Sequence, residues 1–217
     1  EAIVEAMLKH PGSAEVQRWG MAGLRCLCEH GPASAVVAIL DLGGLAAVVD
    51  AMRSHPDSPM VQECGAVVLG YTTLDGGEAV VSTVVEKGGL EAVVRAMLSH
   101  PASPEVQEWG SAMLWSAAES GGESAVGTVL AHGGVGAVVK AMGAFPQKLE
   151  VQRWGSVALW TVTAKGDESG VQAVVAEGGV QAVVAAMRAH PENSELQERG
   201  AGALVAVAER AGGPASE

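Results

Sequence analysis

GGLEAVVRAMLSHPASPEVQEWGSAMLWSAAESGGESAVGTVLAH, residues 88–132, is one copy of a unit that returns every 45 residues. Its opening glycines recur at Gly43-Gly44, Gly133-Gly134 and Gly178-Gly179. The frame divides the chain into a partial unit 1–42, units 43–87, 88–132 and 133–177, and a partial unit 178–217. A fixed period of this length predicts one all-α solenoid over residues 1–217, each unit burying its apolar face against its neighbours. The chain opens inside one unit and stops before completing another, so a piece of a longer protein is expected.

Each unit carries three helical signals. After the glycine pair, Leu90, Val93, Val94 and Met97 fall at i, i+3, i+4 and i+7, one face of a helix. His-Pro closes it at His55-Pro56, His100-Pro101 and His190-Pro191, because a residue before proline is pushed out of the α region. A longer helix follows, with Ser103 as N-cap and Pro104 as first helical residue; Ser13, Ser58 and Asn193 hold the same cap position. Lys148 cannot cap and Phe145 replaces the histidine, so 143–150 departs from the pattern. Gly20, Gly65, Gly110, Gly155 and Gly200 share one register inside the long helix. A mid-helix glycine costs about 1 kcal/mol against alanine, so five of them predict a crossing helix too close for a side chain. A third, short apolar helix, such as 125–131, precedes the next glycine pair.

The pattern resembles the armadillo repeat over essentially the whole chain. The residues that carry the resemblance are the Gly-Gly pairs, Val16-Gln17, Val61-Gln62, Val106-Gln107, Val151-Gln152 and Leu196-Gln197, and Leu24, Leu69, Leu114, Leu159 and Leu204. A HEAT array is the alternative, though it usually lacks the extra short helix. The resemblance implies a right-handed superhelix with the third helices lining a concave face that binds peptide or protein. Family members that bind nuclear-import peptides carry Trp and Asn four residues apart on each third helix. Here those positions are Ala22 and Cys26, Val67 and Tyr71, Ala112 and Ser116, Val157 and Thr161, Gly202 and Ala206, so that ladder is absent.

Composition narrows the function. The net charge of −12 argues against nucleic acid, which needs a basic footprint. No apolar run reaches a membrane span, and no secretory signal is visible. Three cysteines fit a reducing compartment, hence an intracellular protein, cytoplasmic or nuclear, with buried thiols. His10, His55, His100 and His190 share one repeat position and so lie a repeat apart, too far to share a metal; they read as helix ends. No phosphate loop, nucleophile elbow or zinc-protease helix is present, and neither cofactor nor catalysis is expected.

Taking Ala112 as the centre of the open face, the helical period brings 105, 108, 112, 116 and 119 to one side. The equivalent positions are Glu15, Arg18 and Glu29; Met60, Glu63 and Leu74; Glu105, Glu108 and Glu119; Glu150, Arg153 and Ala164; Glu195, Glu198 and Glu209. Ten glutamates and two arginines put −8 of the −12 on this stripe. Acids in a first turn stabilise any helix, but Glu29, Glu119 and Glu209 sit in last turns, where the dipole disfavours them. Trp19, Trp109 and Trp154 share one register and Trp115 and Trp160 another, on opposite flanks of the stripe; Cys64 and Arg199 interrupt the first. They suit either packing between units or an aromatic wall for an extended peptide. The expected partner-binding set is Trp19, Glu29, Glu63, Tyr71, Glu108, Trp109, Ser116, Glu119, Arg153, Trp154, Glu198 and Glu209. A groove of roughly 40 Å, five helices at ~10 Å spacing, would hold about a dozen extended residues of a basic, partly apolar segment. The alternatives are a structural subunit docked in a larger assembly and a regulatory array of a multidomain protein.

Overall fold

The structure, a computed structural model, describes residues 1–211. They are helical and contain no strand. The chain divides into two compact units, Glu1–Met113 and Leu114–Glu217. The first holds α1 (Ala2–Lys9), α2 (Ala14–His30), α3 (Ala33–Asp41), α4 (Gly44–Ser54), α5 (Pro59–Glu86), α6 (Gly89–Ser99) and the start of α7 (Pro104–Ala131). The second holds the rest of α7, α8 (Gly134–Ala144), α9 (Leu149–Lys165), α10 (Glu168–Ala176), α11 (Gly179–Ala189) and α12 (Ser194–Ala211). Residues 212–217 of the last sequence repeat lie outside the described residues.

Local chemistry sets every break. The first glycine of each pair is left-handed, with φ of 73° at Gly43, 75° at Gly88 and Gly133, and 80° at Gly178. The second needs to be glycine for a different reason. A Cβ on Gly44 would come 2.6 Å from the Ile39 carbonyl oxygen, and one on Gly179 2.9 Å from that of Val174. At the other end of the short helix, His55, His100 and His190 leave the helix at φ near −125°, as the following proline requires. Phe145, also before a proline, adopts the same backbone, so the 143–150 connection keeps the fold despite its different side chains.

A glutamine then closes the turn. The Gln107 side-chain amide donates to the carbonyls of Met97 and His100 at 2.9 and 3.1 Å. Gln17, Gln62, Gln152 and Gln197 make the same two bonds in their own repeats. Each satisfies a methionine carbonyl that the end of the short helix leaves open, and adds a second bond to a carbonyl that already accepts the backbone amide three residues on. The mid-helix glycines complete the lock. A Cβ on Gly110 would lie 2.7 Å from Met97 Cγ, and Gly20, Gly65, Gly155 and Gly200 meet Met7, Met52, Met142 and Met187 in the same way. The close crossing expected from the glycine register is present in both units.

The long and third helices meet at a second kind of break. In α5 and α7 one residue turns the chain without a loop: Gly77 at φ 63°, ψ −165° and Gly122 at φ 57°, ψ −150°. At the equivalent place before α10 Asp167 is extended, and its carboxylate accepts from the Ser169 amide at 2.9 Å. Of the expected caps, Ser13, Ser103 and Asn193 accept from the amide three residues on, and Ser58 does not. Ser58 keeps the same extended backbone as Ser13, so the helix start does not depend on that bond.

Within the first unit α2 packs on α5, α4 on α5 and α1 on α2 and α4. Within the second, α9 packs on α12, α8 on α9 and α11, and α11 on α12. No single helix among the described residues is long and apolar enough to cross a membrane.

Candidate functional site

The acidic register lies along α2, α5, α7, α9 and α12, and its middle is packed on α5, α7 and α9. Val67 and Ala112 are fully buried, Val157 nearly so, and Ser116 is also buried. The accessible part of the register is therefore towards the helix ends rather than at its centre.

In the first unit, Trp109 stacks on Tyr71 with centroids 4.5 Å apart and planes at 23°. Gly70 makes room for it: a Cβ there would lie 2.7 Å from the Trp109 ring. Glu63 accepts a hydrogen bond from the Ser103 hydroxyl at 2.8 Å, which ties α5 to the start of α7. Glu105 and Glu108, on the first turns of α7, are half-buried. Trp19 is 63% exposed, with the Arg18 guanidinium 5.6 Å from its centroid and Glu15 3.3 Å from Arg18. Glu29 pairs with Arg25 at 3.0 Å.

In the second unit the charges close on one another. The Arg153 guanidinium lies 4.9 Å over the Trp154 ring and binds Glu150 at 2.6 Å and Glu195 at 3.1 Å. Trp154 packs against Trp115 at 5.2 Å. Lys165 binds the Glu119 carboxylate at 2.6 Å and its backbone carbonyl at 2.8 Å. Arg210 donates to the Thr163 and Ala164 carbonyls. Glu198 and Glu209 are exposed.

Two of the three glutamates that oppose their helix dipole thus have a local cause. Arg25 holds Glu29 and Lys165 holds Glu119, and neither cation belongs to the register counted in the sequence. The charge of the stripe is correspondingly smaller than that count.

The aromatic pairs obey a rule that the sequence reading missed. A residue seven positions before the next break (Arg25, Gly70, Trp115 or Trp160) meets the residue 39 on, in the next repeat: Cys64, Trp109, Trp154 or Arg199. Each partner suits the other. Glycine accepts tryptophan, tryptophan meets tryptophan, and Arg199 lies 5.8 Å from the Trp160 ring. Cys64 and Arg199, which interrupt the tryptophan register, still meet their counterparts, Arg25 and Trp160, 39 residues back. Covariation between positions 39 apart was the available signal.

The histidines also join repeats. The His55 ring nitrogen Nε2 bonds with the Pro11 carbonyl at 3.0 Å, His100 with Pro56 at 2.8 Å and His190 with Pro146 at 3.0 Å. No group of histidine, cysteine and carboxylate side chains among the described residues is arranged to hold a metal ion. Cys64 is buried, but Cys28 is half-buried and Cys26 exposed, which corrects the expectation of three buried thiols. Burial, with a contribution from Glu29, pushes the Cys28 thiol up to about 11. Burial also raises Cys64, against the opposing pull of Arg25. Both stay protonated at neutral pH and so lack the thiolate that reactive cysteines use.

No family model matches the chain, and no curated protein matches it. Among solved structures it is similar to the crystal structure of an engineered protein, a target of the Northeast Structural Genomics Consortium. The two share 22% identity at a TM-score of 0.58 over 97% of this chain and 98% of the other. A likeness at that identity speaks for the fold.

Proposed function

We propose that this chain is an armadillo-type α-solenoid that works inside the cell as a non-catalytic scaffold, binding an extended, Lys/Arg-bearing protein segment on its acidic face. The repeated lock of left-handed glycine, mid-helix glycine and double-bonding glutamine supports the repeat architecture. The binding role rests on one observation. By the repeat register, Glu63 and Glu105 in the first unit hold the positions that Arg153 and Glu195 hold in the second. In the second unit that position pair is a closed ion pair. In the first it is two carboxylates, of which Glu105 lies one turn before Trp109, with no arginine over its ring among the described residues.

Like charges at neighbouring positions repel, and a ligand cation would relieve them. Arg153 displays the geometry such a cation would take: a guanidinium over an aromatic face, held by two carboxylates. An arginine or lysine from a partner segment fits the same chemistry at Glu63, Glu105 and Trp109.

The test is a titration of a labelled ten-residue peptide of alternating lysine and arginine, with a polyglutamate of equal length as control. Binding should weaken as salt rises, because exposed charges are screened over about 10 Å at 0.1 M. Glu63→Gln with Glu105→Gln should weaken it about tenfold, equivalent to ~1.4 kcal/mol. Equal affinity for wild type and double variant at every salt concentration would refute the site.

A further inference from the structure

Ser-Pro occurs twice in the chain, at Ser58-Pro59 and Ser103-Pro104, each time where a short helix hands over to a long one. The two serines hold the same repeat position, yet their surroundings differ. The Ser103 hydroxyl accepts from the Val106 amide at 3.4 Å and donates to Glu63 at 2.8 Å. Ser58 has an extended backbone, φ −91° and ψ 103°, and its hydroxyl makes no cap bond. Pro56, Asp57, Pro59 and Met60 around Ser58 are exposed, whereas Pro104 and Glu105 beside Ser103 are half-buried.

The residue opposite changes as well. The register that brings Glu63 to Ser103 sets Arg18 on α2 opposite Ser58 on α5, both inside the first unit. Arg153, the counterpart of Arg18 in the second unit, shows what an arginine does there. It binds Glu150, three residues before it, at 2.6 Å, and Glu195, in the first turn of the next long helix, at 3.1 Å. Arg18 binds Glu15, three residues before it, at 3.3 Å, but Met60 holds the Glu195 position. Arg18 therefore has one carboxylate where Arg153 has two. Its Nε, like that of Arg153, is shielded from solvent and has no hydrogen-bond partner.

We propose that Ser58 is a phosphorylation site, its phosphate supplying Arg18 with the second anion that Met60 cannot provide. The donor is a nucleoside triphosphate carried by a proline-directed serine kinase. Ser58 Oγ bonds to the γ-phosphorus, the bond from that phosphorus to the bridging oxygen breaks, the nucleoside diphosphate leaves with the electron pair, and the hydroxyl proton passes to the kinase's base. The product carries nearly two negative charges and three acceptor oxygens, suited to a guanidinium. It also sits at the start of α5, where the helix dipole favours an anion. Asp57 is the adjacent carboxylate; it is exposed, so salt and water screen its repulsion. At Ser103 the same modification would break the bond to Glu63 and set a phosphate against that carboxylate. The site does not depend on the peptide-binding reading.

The test treats the folded 217-residue chain with a proline-directed serine kinase and magnesium-ATP, and maps the product by mass spectrometry. A synthetic peptide of residues 52–64 serves as a positive control for the kinase. Ser58 should gain phosphate at least about tenfold faster than Ser103, and Ser58→Ala should abolish that product. The phosphorylated chain should melt about 2–4 °C higher than the untreated one, and phosphatase should reverse the gain. Arg18→Gln should melt like wild type before treatment and lose the gain after it. Glu15→Gln, which frees Arg18 of its carboxylate, should enlarge the gain. Phosphorus NMR gives a readout that stability alone does not move. The phosphate should titrate below its ordinary value of about 6 in wild type and return towards it in Arg18→Gln. Labelling of the peptide but not of Ser58 in the folded chain would overturn the proposal, as would equal labelling of Ser58 and Ser103. So would a phosphate on Ser58 that lowers the melting point, or one whose titration is the same in wild type and Arg18→Gln.

Discussion

The two compact units are built by the same lock and differ in how they treat charge. In the second, Arg153 ties Glu150 to Glu195 over the Trp154 ring, and Lys165 neutralises Glu119. In the first, Glu63 and Glu105 occupy the Arg153 and Glu195 positions, and the ring of Trp109 rests on Tyr71 with its acids beside it. The backbone at these positions is dictated by glycine, proline and glutamine elsewhere in the repeat. The side chains of the exposed register are then free to vary, and at these two positions one unit holds an ion pair where the other holds two carboxylates.

The largest effect should come from the part the units share. Gly110→Leu and Gly155→Leu drive a side chain into Met97 and Met142, where even a Cβ would sit at 2.6–2.7 Å. Overpacking costs typically 1–3 kcal/mol, occasionally more. Both variants should lower the thermal midpoint by similar amounts. An unchanged melt in either would break the equivalence of the two locks.

Next is the glutamine. Gln107→Leu and Gln152→Leu each strip two carbonyls of a buried partner. The expected loss is about 1–3 kcal/mol in urea unfolding, again alike in both units. A neutral result would mean that water replaces the amide.

A charge swap sharpens the difference between the units. Glu63→Arg should form its own bridge to Glu105 and weaken the lysine–arginine peptide about tenfold, ~1.4 kcal/mol. Arg153→Glu should do the reverse, opening a second acidic site and raising the stoichiometry from one peptide to two. The wild-type ion pairs are partly exposed, so neither change should move stability by more than about 1 kcal/mol. Calorimetric titration reads both quantities, and a stoichiometry of one in Arg153→Glu would show that the Trp154 surface is closed for some other reason.

The smallest effect is at alkaline pH and belongs to the first unit, which holds all three cysteines. Folding raises the Cys28 thiol from 9.0 to about 11 by burial and by Glu29. The folded state therefore keeps a proton that the unfolded state releases. The stabilisation is present in full below pH 9 and is lost as pH rises through about 11. Cys28→Ala should flatten that limb of the melting profile between pH 8 and 11 relative to wild type. Identical profiles would mean that Cys28 is not desolvated.

Punctuation and helix type were legible in the sequence because their causes are local. Gly88 is left-handed, His100 precedes a proline, and Gly110 sits where a side chain cannot. The candidate site was legible only as a register. Counting glutamates along one helix face found Glu63, Glu105 and Glu108 but could not see Arg25 and Lys165, which reach Glu29 and Glu119 from outside the counted stripe. Nor could it see that Ala112 and Ser116 are buried, since a helical wheel has no neighbours on it.

The sequence by itself determined that the chain is a repeating array of helices, where each helix stops, and which face of each carries acid. A 45-residue period and residues with restricted or unusual φ and ψ suffice for that. Tertiary structure alone decided which carboxylates meet a cation from another helix and which tryptophans are spent on packing. Those properties depend on side chains about 40 residues apart meeting across repeats, and a distance of a few ångströms between them is not written in either stretch of sequence.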